Sequence, residues 1–273
     1  MSLTKYFYLI SFILINTFLP IILTAQNKDS LYIKITKMHK NLNFKEASYS
    51  KWIELEKDYL NTVIKKNEFI LQRNVLTHYM TDDNTEVLFI EMYKNWENIE
   101  KAVIRSKKLE SERWAAKQKD LYHEYMGQYF NKNQSDEIFM TIPGVKADSS
   151  GLNKSLFYQV RVNHLAFPKE GTGNEFLNLG EVFIKKAVSN NHYIKMYHSF
   201  IQVMGSDKRQ FIEFTGVETL GDLEQAFIEI DEFLYEPKKE DEAKHNIFIA
   251  NYFKYFTGFH ADYIYKSVPE LKK

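Results

Sequence analysis

Hydrophobic and polar positions change their period several times in the first half of the chain. Leu31–Met38 alternates as a strand does, whereas Phe44–Glu68 spaces its apolar residues three and four positions apart, as a helix does. Two β-rich runs flank the polar turn "TDDNT", which predicts a hairpin. Asn95 or Asn98 is a candidate cap for the next helix. In chain order the prediction is strand, helix, strand, strand, helix, helix and short strand, over residues 31–38, 44–68, 70–80, 86–93, 95–114, 119–130 and 137–143.

The second half of the chain predicts the same order of elements. A strand is followed by a helix, by a hairpin around "GSDK", by two helices and by the tail "DYIYKSVP". Asp222 lies near the expected start of the first helix after the hairpin. The predicted segments are residues 156–165, 174–189, 193–204, 210–217, 222–234, 242–256 and 262–269.

Four sequence landmarks occur twice, in the same order. "YFNKNQSDEIFMTIP" begins at Tyr129, and "YFTGFHADYIYKSVP" begins 126 residues later at Tyr255. Residues 81–103 align without a gap with residues 205–227, where "NIE.A" corresponds to "DLE.A". "YIKITK" likewise corresponds to "QVRVNH". We therefore expect an internal duplication, with a leader at 1–25, a first repeat at 26–145, a linker at 146–155 and a second repeat at 156–273.

The order of elements within one repeat predicts its fold. A β-α-β-β-α unit with a probable final strand is ferredoxin-like, and its sheet has helices on one face only. The uncovered face of such a sheet has to be buried against something. Two copies in one chain can cover each other, so the prediction is an α+β protein whose two repeats pack sheet to sheet. We expect a monomer with an internal pseudo-two-fold axis.

This arrangement resembles the dimeric α/β-barrel superfamily in a fused tandem form. The resemblance rests on element order and duplication over roughly residues 31–270 and on no diagnostic motif. It implies that the space between the sheets holds a small ligand, a haem or an oxidisable substrate.

Strand alternation sorts candidate residues for that space. Leu88, Ile90 and Met92, with Ile212 and Phe214, form an apolar set that is expected to face the helices. A polar set is then expected on the opposite, inter-sheet face, with Lys34–Glu91 and Arg161–Glu213 as possible ion pairs. Paired interior ions with no ligand are the alternative interpretation. The candidate ligand-binding residues are Lys34, Asn74, His78, Glu91, Arg161, His198, Gln202 and Glu213.

Composition and charge narrow the function classes. The chain has 36 basic and 36 acidic residues, so no overall positive field favours nucleic acid as a partner. The absence of cysteine excludes disulfides and thiolate chemistry. His78 and His198 are not at matching positions, so no metal site is predicted. No phosphate-binding loop, serine-hydrolase motif or zinc-protease motif occurs.

The first 25 residues have a different character from the rest. Lys5 precedes the apolar run 6–25, which is followed by the polar "QNKDS". This pattern predicts a secretory signal peptide cleaved near Ala25, and hence a periplasmic or secreted protein. The alternative is a membrane anchor formed by residues 6–25, which would be the only membrane contact.

Three function hypotheses remain open at the level of sequence. The first is an exported protein that binds a small, partly apolar ligand between its sheets. The second is a cofactor-independent or haem-linked monooxygenase-type enzyme, with His78 or His198 as a base or an axial ligand. The third is a structural interaction module. The sequence identifies neither a reaction nor a cofactor.

Overall fold

The computed structural model describes residues 30–147, 154–236 and 241–273. The predicted leader and the middle of the predicted linker lie outside these residues. The strands are β1 Tyr32–Lys40, β2 Gln72–Met80, β3 Glu86–Tyr93, β4 Phe130–Thr141, β5 Lys146–Ala147, β6 Phe157–Leu165, β7 Met196–Met204, β8 Gln210–Val217 and β9 Phe256–Ser267. The helices are α1 Tyr49–Thr62, α2 Trp96–Arg113, α3 Ala116–Tyr129, α4 Gly173–Phe183, α5 Leu220–Tyr235 and α6 Glu242–Phe253.

Two ferredoxin-like sheets join into one closed barrel. The strand order is β4-β1-β3-β2 in the first repeat and β9-β6-β8-β7 in the second. β2 pairs with β9, and β4 pairs with β7, so the two sheets share both edges. All these pairings are antiparallel. The predicted fold class, two repeats packed as a pseudo-dimeric α/β barrel, is confirmed.

Local signals explain where the helices begin. The Asn95 side chain accepts a hydrogen bond from the backbone N–H of Asn98, so Asn95 is the cap of α2. α5 begins with a capping box, in which Thr219 and Asp222 each accept the other's backbone N–H. The predicted starts of these two helices, at residues 95 and 222, are therefore correct to within two residues, whereas the first helix begins at Tyr49 and not at residue 44.

One buried contact is the same in both repeats. Asn67 Nδ2 donates to the Ala102 carbonyl over 2.8 Å, and Asn191 Nδ2 donates to the Ala226 carbonyl over 2.9 Å. Each asparagine lies in the loop before the second strand of its repeat and bonds to the helix after the hairpin. Because a buried amide costs free energy unless it is bonded, both repeats keep the same loop-to-helix tie.

The barrel interior is an apolar core, which corrects the predicted assignment of strand faces. Leu88 and Ile90, expected to face the helices, instead pack inside the barrel with Ile33 and Phe139. The interior of an eight-stranded barrel can be filled by its own side chains, and here the apolar residues of β1, β3, β6 and β8 supply most of that filling. The polar face of β1, β3, β6 and β8 consequently lies outside, beneath the helices.

β4 and β9 are longer than predicted. Each spans 12 residues and includes most of the repeated phrase, whereas only residues 137–143 and the tail from 262 were expected as strand. Their first halves are largely exposed. In β4 that half is mostly polar, whereas in β9 it carries Phe256 and Phe259. Within the described residues, no helix is both long and apolar enough to cross a bilayer.

Candidate ligand-binding site

A large cavity lies in the second repeat, between the outer face of the sheet and helices α5 and α6. Its volume is about 540 Å³. Strands β6, β7 and β8 form the floor, and the two helices with the start of β9 form the roof. The lining includes Gln159, Arg161, Asn163, Tyr197, Glu213, Thr215, Phe227, Ile230, Asp231, Leu234, Tyr252, Phe253, Phe256, Phe259 and His260.

One half of the floor is an ion pair. Arg161 Nε lies 2.8 Å from Asp262 Oδ1, and Nη2 lies 3.2 Å from Oδ2, so the contact is bidentate. Gln159 Nε2 also donates to Asp262 Oδ1, over 2.7 Å. The Arg161 guanidinium lies 5.6 Å from the centre of the Phe227 ring. The positive charge of Arg161 is thus neutralised by Asp262 within the floor.

The other half of the floor centres on Glu213. Tyr197 Oη donates to Glu213 Oε1 over 2.5 Å, and Asn163 Nδ2 donates to Oε2 over 2.8 Å. Burial, with the charge of Glu213, raises the pKa of Tyr197 well above its usual range, so its hydroxyl stays protonated. A carboxylate oxygen can accept more than one hydrogen bond, so Glu213 can also accept a donor from a ligand.

Aromatic rings form the walls of this cavity. Phe227 comes from α5, Tyr252 and Phe253 come from α6, and Phe256 and Phe259 come from the start of β9. Phe259 is 64% exposed, so the wall continues outward on that side. A cavity with apolar walls and a few convergent polar groups is the usual form of a small-molecule site.

The eight predicted site residues divide between two faces of the barrel. Four lie on the outer face instead of the predicted inter-sheet face: Arg161 and Glu213 line the large cavity, and Lys34 and Glu91 line a cavity in the first repeat. The other four, Asn74, His78, His198 and Gln202, lie on the inner face of β2 and β7 by strand alternation. The error arises from the face assignment of the first and third strands.

The predicted ion pairs are also wrong in their acidic partners. Lys34 Nζ lies 3.0 Å from Asp136 Oδ1, and Arg161 pairs with Asp262. Glu91 instead accepts from the Tyr93 hydroxyl over 2.5 Å. Asp136 and Asp262 are the acids of the repeated phrase, so the signal for these partners was present in the duplication.

The polar residues of the inner face border two spaces of different size. Asn74 and His198 contact a space of about 40 Å³ within the barrel, and both also line a cavity of about 360 Å³ together with Met92, Met196 and Lys272. Burial, with the positive charge of Lys272, lowers the pKa of His198 to about 4, so its imidazole is neutral. His78 Nδ1 lies 2.8 Å from Thr81 Oγ1. Gln202 Nε2 donates to Gln210 over 3.3 Å.

His198 and His78 are the histidines predicted as a base or an axial ligand. His198 is buried, with its pKa lowered to about 4, and His78 Nδ1 is hydrogen-bonded to Thr81. The histidine that lines the large cavity, His260, is half exposed, with Nε2 3.5 Å from Asp262 Oδ2. Among the residues that the structure describes, no group of three or more metal-ligating acids or histidines can hold a metal ion.

Comparisons with known proteins support the fold and nothing finer. No protein-family model matches the chain, and no curated protein is significantly similar to it in sequence. A candidate monooxygenase from Fusobacterium nucleatum superposes with a TM-score of 0.56 at 10% identity, covering 88% of this chain and 93% of its own. A candidate monooxygenase from Lactobacillus acidophilus superposes with a TM-score of 0.52 at 11% identity, covering 88% of this chain and 94% of its own.

A chlorite dismutase variant from Candidatus Nitrospira defluvii is similar to the same extent. Its TM-score is 0.51 at 9% identity, covering 88% of this chain and 92% of its own. At these identities the likeness concerns fold alone. The chain therefore has the tandem form of the dimeric α/β-barrel fold, and its function has to be argued from its own cavities.

Proposed function

We propose that the protein binds a small, largely aromatic ligand without negative charge in the second-repeat cavity. One observation carries the proposal: an open cavity of about 540 Å³ has aromatic walls above a polar floor centred on Glu213. The walls favour a flat apolar body. Glu213 favours a hydrogen-bond donor, such as a hydroxyl group, at one end of that body.

The charges around this cavity select against anions. Arg161 is neutralised by Asp262, which leaves Glu213 and Asp231 as acidic groups of the lining. A carboxylate or sulfonate would have to approach these groups in a partly desolvated space, where repulsion is strong. A neutral phenol would instead donate to Glu213.

Isothermal titration calorimetry with 2-naphthol as the probe tests this proposal. Ile230→Trp fills the cavity from α5 and should weaken binding at least about tenfold. Val103→Trp on α2, in the first repeat, is the matched control and should leave the affinity unchanged. Equal affinity in wild type and Ile230→Trp would place the ligand elsewhere. Absence of binding by neutral aromatic probes would favour the structural interaction module.

A second candidate function is monooxygenation without a cofactor. Its support is the fold shared with two candidate monooxygenases, together with a carboxyl group inside an aromatic cavity. Glu213 would take the proton of a bound phenol, and the ring carbon next to the phenolate oxygen would then bond to molecular oxygen. Breaking of the O–O bond releases the second oxygen as water with the two hydrogens that the phenol loses, so the phenol supplies the electrons and becomes an ortho-quinone. Oxygen uptake in the presence of 2-naphthol, abolished in Glu213→Gln, would support this reaction; no uptake at saturating probe would leave only binding.

We also propose that the protein is exported through its leader and acts as a monomer. The support is the apolar run 6–25 after Lys5 and the shared edges of the two repeats, which leave the barrel closed within one chain. Mass spectrometry of the mature N-terminus should find Gln26 first, and sedimentation should give one chain. An intact leader in a membrane fraction would favour the anchor.

A further inference from the structure

A second cavity lies at the equivalent place in the first repeat. It has a volume of about 380 Å³ and is bounded by the outer face of β1, β2 and β3 and by helices α1, α2 and α3. Position 73 on β2 corresponds to position 197 on β7, since each residue pairs with the third strand at the same register. The second repeat has Tyr197 there, whereas the first repeat has Arg73.

Arg73 is a buried cation with an incomplete set of partners. Its side chain is 5% exposed, and Nη2 donates to Glu56 Oε2 over 2.7 Å. Nε and Nη1 have no hydrogen-bond partner among the residues that the structure describes. Buried N–H groups of a charged side chain cost free energy when they are left unbonded. Such a group at the floor of a cavity marks a place for an acceptor.

The surroundings of Arg73 hold its guanidinium in one orientation. Its centre lies 5.1 Å from the Phe89 ring centre and 5.8 Å from the Tyr59 ring centre. Glu56, which is 1% exposed, is fixed in turn by the Tyr122 hydroxyl over 2.9 Å. The paired nitrogen is therefore committed to Glu56, and Glu91 on β3 is another carboxylate that acts on the guanidinium. Nε and Nη1 are shielded from solvent and can meet a ligand only when neighbouring side chains move.

We propose that the first-repeat cavity is a second binding site, specific for a small ligand that carries a carboxylate or carbonyl acceptor. The acceptor bonds to the unpartnered donors of Arg73, and the apolar part of the ligand packs against Phe89 and neighbouring rings. Both nitrogens are shielded from solvent in the structure, so binding includes a movement of side chains over the floor. The two repeats thus select opposite hydrogen-bonding groups: an acceptor in the first and a donor in the second.

Benzoate, with benzylamine as the cationic control of similar shape, tests this site. Side-chain NMR of the full chain observes the Arg73 Nε–H directly. Benzoate should shift that resonance in a saturable way and slow its exchange with water, whereas benzylamine should do neither. An Arg73 resonance unchanged at high benzoate concentration would overturn the proposal.

Two single variants and one double variant locate the benzoate site. Val103→Trp fills the first-repeat cavity and should weaken benzoate binding at least about tenfold, whereas Ile230→Trp in the second repeat should leave it unchanged. Arg73→Met combined with Glu56→Gln removes both charges and should weaken benzoate binding similarly. Loss of benzoate binding in Ile230→Trp alone would overturn the proposal. Because 2-naphthol is tested separately at Ile230, this site and the proposed function can fail independently.

Discussion

The buried pair of Arg73 and Glu56 gives the sharpest prediction about stability. Their side chains are 5% and 1% exposed, so neither charge reaches water if the other is removed. Breaking a buried pair of this kind costs about 3–5 kcal/mol, whereas replacing both partners is often near neutral. We expect Arg73→Met and Glu56→Gln each to lower the free energy of unfolding by about 3 kcal/mol or more. The double variant should lose much less free energy of unfolding than the two single variants lose together.

Urea unfolding at neutral pH measures this coupling through a double-mutant cycle. The matched control is Lys154 with Glu218, whose side chains are 54% and 33% exposed and whose atoms are 2.9 Å apart. An exposed pair of this kind should show a coupling of about 1 kcal/mol or less. Strictly additive losses at positions 73 and 56 would show that the two buried charges do not compensate each other.

Three further predictions concern the barrel. The folded pKa of His198, about 4, lies below the ordinary value of 6.5, so stability should fall as pH drops from 6.5 towards 4. The loss should approach about 3 kcal/mol, and urea unfolding of His198→Gln should lack this part of the pH dependence. Phe139→Ala, at a fully buried position of the barrel core, should cost about 3–5 kcal/mol in the same assay, and a loss under 1 kcal/mol would contradict the packed interior. All three tryptophans lie in the first repeat, so their fluorescence reports on that repeat, whereas circular dichroism reports on the whole chain. The two signals should give the same urea midpoint because the repeats share one barrel, and two different midpoints would show that the repeats unfold separately.

The sequence was sufficient to predict the architecture, because duplication constrains topology strongly. A sheet with helices on one face has to bury its other face, and the duplication supplies a second sheet of the same kind in the same chain. Strand alternation alone does not decide which face of the sheet lies against the helices and which lies against the other repeat. The period of two separates Leu88 from Phe89, but it does not say which of them points to the helices.

The sequence-based face assignment put two cavity-lining residues on the wrong side of the sheet. Arg161 and Glu213 line the large cavity, yet beneath the helices and not between the sheets. The aromatic walls were missed because Phe227 and Phe253 lie at helical spacing, which is equally typical of core packing. Arg73 was not predicted as a site residue, because strand alternation places it on the face of β2 opposite to Asn74 and Leu76, and the ligand was expected on their face.

A crystal structure of the full chain grown with 2-naphthol would show directly where the protein binds its ligand. We expect density for the probe in the second-repeat cavity, with its ring against Phe227 and its hydroxyl within hydrogen-bonding distance of Glu213. Density for the probe inside the barrel beside His198 would contradict it, because that space would then be the ligand site and the cavity under the helices would not.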